Sequence, residues 1–165
     1  MERDRRRGAA ILFATAGAAY LLDRLSKVWV EHALTERPTD LIPGVLTLRY
    51  TTNSGGAFSL GQSAPWLFAG FSIVVATLIC VTAFRRRSAL ASVGLGLVLG
   101  GALGNLTDRI VRGPGLRGRV VDFIDFHIWP VFNLADAAIV AGALVLAFSS
   151  MKPREPEGAP EASDG

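Results

Sequence analysis

The chain has 165 residues, half of them hydrophobic, with one cysteine and a formal net charge of +3. The arginines and lysines flank apolar runs, so they read as membrane-topology signals and no nucleic-acid partner is expected. Cys80 stands alone, which excludes an internal disulfide. No zinc-type cluster is present, and neither a metal nor another cofactor is expected.

The apolar residues come in blocks of the length that crosses a bilayer, roughly 20 residues. Arg3, Arg5, Arg6 and Arg7 form a basic tail ahead of a first helix over about 8–30. That start also resembles a cleavable signal peptide, but apolar character resumes at Val28, which favours a retained helix. Residues 31–64 differ in kind. Pro38, Pro43, Gly44, Gly55, Gly56 and Gly61 break helices, while Val45 to Thr52 alternates and is rich in β-branched residues. The segment of about 38–62 therefore reads as a short strand or small sheet on the outer surface, with an irregular loop as the alternative.

Pro65-Trp66 opens a second helix over about 65–84, in which Cys80 is expected to be a buried apolar thiol. Arg85, Arg86 and Arg87 turn the chain into a third helix over about 88–109. That helix carries Gly94, Gly96, Gly100, Gly101 and Gly104, small residues that let membrane helices approach closely. A loop marked by Gly113-Pro114-Gly115 follows, and a fourth helix covers about 129–151. The tail over 152–165 has a disordered, cytoplasmic composition. The reading is an all-α integral membrane protein: one four-helix domain over 1–151, with a small extracytoplasmic β-sheet cradle between helices 1 and 2. The basic clusters put both termini in the cytoplasm by the positive-inside rule. Arg109, Arg112, Arg117 and Arg119, on the outer side, disagree with it.

Asp23, Asn105, Asp108, Asp122, Asn133 and Asp136 lie in or beside these stretches, where carboxylates are costly and mark function. At about 1.5 Å per helical residue, three helices and a loop bring them to one level near the outer face. Asn105 with Asp108 or Arg109, and Asn133 with Asp136, share helix faces. Asp23 and Lys27, four apart, can pair locally, and Asp108 with Arg109 can order a helix end. Asp136 has no basic residue on its own helix until Lys152, so its partner lies elsewhere, and Asp122 is one of those available. Two carboxylates sharing one proton act as base toward water and acid toward a carbonyl. The residues alone leave an aspartic protease, a proton-coupled carrier and a structural membrane subunit open.

Asp23-Arg-Leu-Ser-Lys27, Thr52-Asn53-Ser-Gly-Gly-Ala-Phe-Ser59, Gly100-Gly-Ala-Leu-Gly-Asn105-Leu-Thr-Asp108-Arg109, Val120-Val-Asp122-Phe-Ile124 and Phe132-Asn133-Leu-Ala-Asp136-Ala-Ala-Ile139 stand in that order. Together they resemble the motifs of the lipoprotein signal peptidases (signal peptidase II), bacterial membrane aspartic proteases. The resemblance implies catalysis by Asp122 and Asp136, supported by Asp23, Lys27, Asn53, Asn105, Asp108, Arg109 and Asn133. It implies removal of the signal peptide just before a diacylglyceryl-modified cysteine. The implied partners are lipid-modified prolipoprotein substrates and membrane phospholipids, around a monomer in the bacterial plasma (inner) membrane with its site near the outer face. Asp125 is a nearby acid. The flanking Val-Val and Phe-Ile favour Asp122 over it. The 110–121 loop is longer than is common in that family, and the stretch from Asp122 to Asn133 is shorter.

Overall fold

The computed structural model describes residues 2–55 and 65–151. The tail over 152–165, with Lys152 and Arg154, and the Gly56–Ser59 part of the second motif lie outside them.

Four helices form the body: α1 (Glu2–Ala33), α2 (Pro65–Thr82), α3 (Ala89–Val111) and α4 (Leu134–Met151). Among the described residues these four are long and apolar enough to span a membrane. α1 is longer than expected at both ends, because the Arg3–Arg7 stretch continues the helix instead of forming a separate tail. α3 starts sharply: Ser88 accepts the Ala91 amide at 3.1 Å, an N-cap.

α3 is the central helix, packed against α1, α2 and α4. Its glycines make that possible. A Cβ on Gly96 would stand 2.5 Å from the Leu12 carbonyl oxygen of α1, and one on Gly101 would meet the Ala135 carbonyl of α4. Leu12, Ala16, Ala76, Ile79, Ala83 and Leu99 fill the core between α1, α2 and α3. The outward faces of α2 and α4 stay apolar and exposed, as in Phe71, Val81, Leu144 and Phe148. In water such a surface would be untenable, whereas against lipid it is the ordinary finish of a membrane helix. Cys80 belongs to this exposed face of α2, not to the core as its apolar setting suggested.

A three-stranded antiparallel sheet sits where α1 and α3 end and α4 begins. Its order is β1 (Thr39–Ile42), β2 (Leu46–Asn53), β3 (Val120–Asp125). β1 and β2 form a hairpin through Pro43 and Gly44, with the Val45 amide on the Ile42 carbonyl at 3.0 Å and Gly44 at φ 74°. Proline then a positive-φ glycine are the central residues of a type II turn. The sheet is thus not confined to the segment between helices 1 and 2. Its third strand comes from the stretch that reads as a loop between helices 3 and 4.

Two irregularities set which side chains face the bundle. β2 and β3 pair as Leu48↔Ile124 and then Thr51↔Asp122, so three steps on β2 match two on β3. This bulge reverses the alternation of β2 beyond Tyr50. Secondly, Phe132 bridges Ile124 across the other side of β3. Phe132 is therefore held against β3 ahead of the helix, and α4 begins at Leu134, five residues later than the composition suggested.

Candidate active site

Asp122 lies in β3 and is buried. Its neighbours Val121 and Phe123 pack with Val30 of α1 and Leu34 just beyond its end. Alternation therefore turns Asp122 to the opposite face. Asp125, three residues along, must point the other way. Arg49 Nε meets it at 2.6 Å and the His127 amide at 2.8 Å. Burial pulls the Asp125 carboxyl upward, but these donors outweigh it and hold it below the usual carboxylate range. Asp125 is thereby a structural acid of the sheet.

Asp136 sits in the first turn of α4. Asn133 is the N-cap: its Oδ1 accepts the Asp136 amide at 2.9 Å, and Asp136 Oδ2 receives the Asn133 amide at 3.4 Å. This is the reciprocal arrangement of a capping box. The i,i+3 spacing thus reports a helix start, not two residues on one helix face. The Asn133 amide is also bifunctional. While Oδ1 caps the helix, Nδ2 donates to Asp122 Oδ1 at 2.7 Å and to the Val121 carbonyl at 3.2 Å. A single fully buried side chain therefore ties the start of α4 to β3, and Asp136 to Asp122.

Asn105 of α3 completes the link. Its Nδ2 donates to Asp136 Oδ1 at 2.7 Å, and its Oδ1 accepts from Asn133 Nδ2 at 3.2 Å. Asn53 arrives on the Asp122 face because of the β2 bulge, and its side chain hydrogen-bonds Asp122. Its Oδ1 also accepts the Gly55 amide at 2.8 Å. Burial, and then the negative charge of Asp136, push the Asp122 carboxyl up to about 7. Asn133 and Asn53 act in the opposite sense.

The remaining candidates form a charged cluster behind the asparagines. Lys27 is fully buried, with Nζ 2.8 Å from Asp23 Oδ2 and 2.9 Å from Asp108 Oδ2, and it donates to Asn105 Oδ1 at 3.1 Å. The local Asp23–Lys27 pair is thus formed, but within a larger set. Asp108 also pairs with Arg24, and with Arg112 Nε at 3.0 Å, and Arg112 reaches Glu31. Glu31 and Arg112 lie outside the motifs, Arg24 lies inside the first without being singled out, and the charge spacings Arg24–Lys27–Glu31 and Asp108–Arg112 hint at all three. Arg109 does not order the helix end by pairing with Asp108. Neighbouring helical residues point about 100° apart, and Arg109 instead donates to the carbonyls of Ser54 and Gly55 at 3.3 and 2.9 Å. It also lies 5.5 Å over the Phe68 ring.

Similarity to known proteins agrees with this geometry. A family model described as signal peptidase (SPase) II matches residues 15–152. A lipoprotein signal peptidase of Rhodococcus jostii is 43% identical over 90% of this chain and 76% of its own length. Those of Streptomyces coelicolor and Caldicellulosiruptor bescii are 42% and 41% identical, over 95% and 82% of this chain and 78% and 87% of theirs. A bacterial membrane enzyme solved by the in meso method at 2.3 Å superposes with a TM-score of 0.73 at 23% identity. The match covers 88% of this chain and 94% of that one, and indicates a shared fold. With four membrane-spanning helices and the described residues of five motifs meeting at one end of them, this multi-pass membrane protein belongs to the signal peptidase II family.

Proposed function

We propose that the protein is a membrane aspartic endopeptidase that removes signal peptides from diacylglyceryl-modified lipoprotein precursors, cutting just before the lipidated cysteine. Asp122 and Asp136 are its catalytic pair. The observation that carries this reading is the chain Asp122–Asn133–Asn105–Asp136, in which two buried or half-buried carboxylates from different elements are held by a shared pair of amides.

The raised Asp122 carboxyl supports a pair that carries one proton up to about pH 7. The ionised member takes a proton from a water lying between the two, and the water oxygen attacks the scissile carbonyl. The protonated member donates to the carbonyl oxygen as charge develops there. The proton taken from water then goes to the leaving amine as the carbon–nitrogen bond breaks, and the hydroxyl formed from the carbonyl oxygen returns its proton to the pair as the C=O bond re-forms. Asn53 and Arg109 are suited to receive the substrate backbone, since both already hold backbone groups at the end of β2.

Residues 1–151 act as one membrane domain and 152–165 as a cytoplasmic tail, with both termini inside and the site near the outer face. The arginines of the Arg3–Arg7 and Arg85–Arg87 clusters at the opposite end of the bundle support that orientation. Its exposed helix faces meet phospholipid directly, as a monomer. Asp122→Asn and Asp136→Asn are each expected to abolish processing of a lipid-modified precursor while the protein still inserts. Ordinary turnover by either variant sinks the assignment.

A further inference from the structure

The two acids behind the site are placed with a regularity that the catalytic reading does not use. Asp23 Oδ1 accepts the backbone amide of Ala135 at 3.0 Å, and Ala135 is the residue immediately before Asp136. Asp108 Oδ2 accepts the backbone amide of Val121 at 3.3 Å, and Val121 is the residue immediately before Asp122. Each carboxylate of the proposed pair is thus preceded by a peptide N–H fixed to a buried acid on a helix. The other oxygen of Asp23 and the same oxygen of Asp108 meet the Lys27 ammonium at 2.8 and 2.9 Å. The Asp23 contact is an ion pair by distance, its alignment falling outside hydrogen-bond limits.

Lys27 has a third partner, Asn105 Oδ1. An ammonium only donates, so the Asn105 oxygen must face it and the Asn105 NH2 must face Asp136. Without Lys27, that orientation of the amide would rest on Asp136 itself and on the longer 3.2 Å contact from Asn133. With the amide flipped, an oxygen would confront the Asp136 carboxylate.

Resting on the reading of Asp122 and Asp136 as the catalytic pair, we propose that Lys27 is the positioning residue of that pair. Its ammonium joins the two backbone anchors, at Ala135 and Val121, and fixes the Asn105 amide so that it donates to Asp136. It touches neither dyad carboxylate and acts through Asp23, Asp108 and Asn105. The three acids Asp23, Asp108 and Glu31 balance Lys27, Arg24 and Arg112, so the device is neutral as a whole.

The test is a double-mutant cycle on the full-length enzyme in phospholipid nanodiscs, with a synthetic diacylated precursor peptide. Lys27→Met and Asn105→Ala are each expected to lower kcat at least 100-fold with KM changed less than threefold. The double variant should be no worse than the poorer single variant, because one acts through the other. Losses that multiply, or a Lys27→Met enzyme within twofold of the parent, overturn the proposal. Should Lys27→Met fail to accumulate folded, Lys27→Arg keeps the charge but places a planar fork where three acceptors need a compact donor. Its kcat should fall at least tenfold at unchanged KM, and an undiminished kcat overturns the proposal equally. If Asp122→Asn or Asp136→Asn still turns over, the catalytic reading itself has failed. If both are dead and Lys27→Arg is fully active, only this inference has.

Discussion

Asn133 shows how much chemistry one small side chain can hold when it is fully buried. Its oxygen caps α4 and its nitrogen steadies Asp122. That hydrogen bond opposes the burial and the Asp136 charge that raise the Asp122 carboxyl. Removing it must therefore raise the carboxyl further. For the parent enzyme, kcat/KM is expected to fall as pH rises through about 7, where the pair loses its proton. In Asn133→Ala the residual activity should show the same limb displaced to higher pH, alongside a loss of helix capping of about 1 kcal/mol. A pH–rate profile of both proteins checks this, and a limb that stays put or moves to lower pH contradicts it. That Asp122 and Asp136 come together was legible from their motifs. That Asp125 is not their equal was also legible in principle, since residues three apart on a strand face opposite ways. What could not be read was that the Asn-x-x-Asp motif is a helix cap, because the apolar run extends upstream to Ile128 and conceals the helix start.

Among the elements, β2 carries a device that the sequence hides. Leu46 and Leu48 alternate in step with Ile124, and without the bulge at Arg49–Tyr50 Asn53 would point away from Asp122. Deleting Tyr50 should restore regular pairing and turn Asn53 to the wrong face. The deletion is expected to lower kcat at least 100-fold, while a further Asn53→Ala adds little. Turnover together with thermal unfolding of the detergent-solubilised protein measures this. A large additional loss from Asn53→Ala would show that Asn53 still reached Asp122. The helices and β2 were legible because their periodicity and composition differ. β3 was not, since Val-Val-Asp-Phe-Ile-Asp is neither a clean alternation nor a turn. Only the register with β2 makes it a strand.

For the whole molecule, two of the four arginines at odds with the positive-inside rule are engaged within the fold. Arg109 holds the backbone of Ser54 and Gly55, and Arg112 pairs with Glu31 and Asp108, so neither is a free charge facing the bulk. Single cysteines at Gly115 and Arg86, in a Cys80→Ser background, should be labelled by a membrane-impermeant thiol reagent from opposite sides. Gly115 should react from outside, and labelling of both from one side rejects the four-span topology. The charge spacing has a consequence for biogenesis as well. A single charge in mid-membrane costs about 2.5–3.5 kcal/mol on insertion scales. α1 carries Asp23 and Lys27 four residues apart, and Asp108 of α3 stands four residues before the C-cap of that helix, Arg112. Each helix therefore leaves the ribosome with its own counter-ion one turn away. α1 can wait in the bilayer as a locally neutral span until α3 is synthesised, when Lys27 is shared between Asp23 and Asp108.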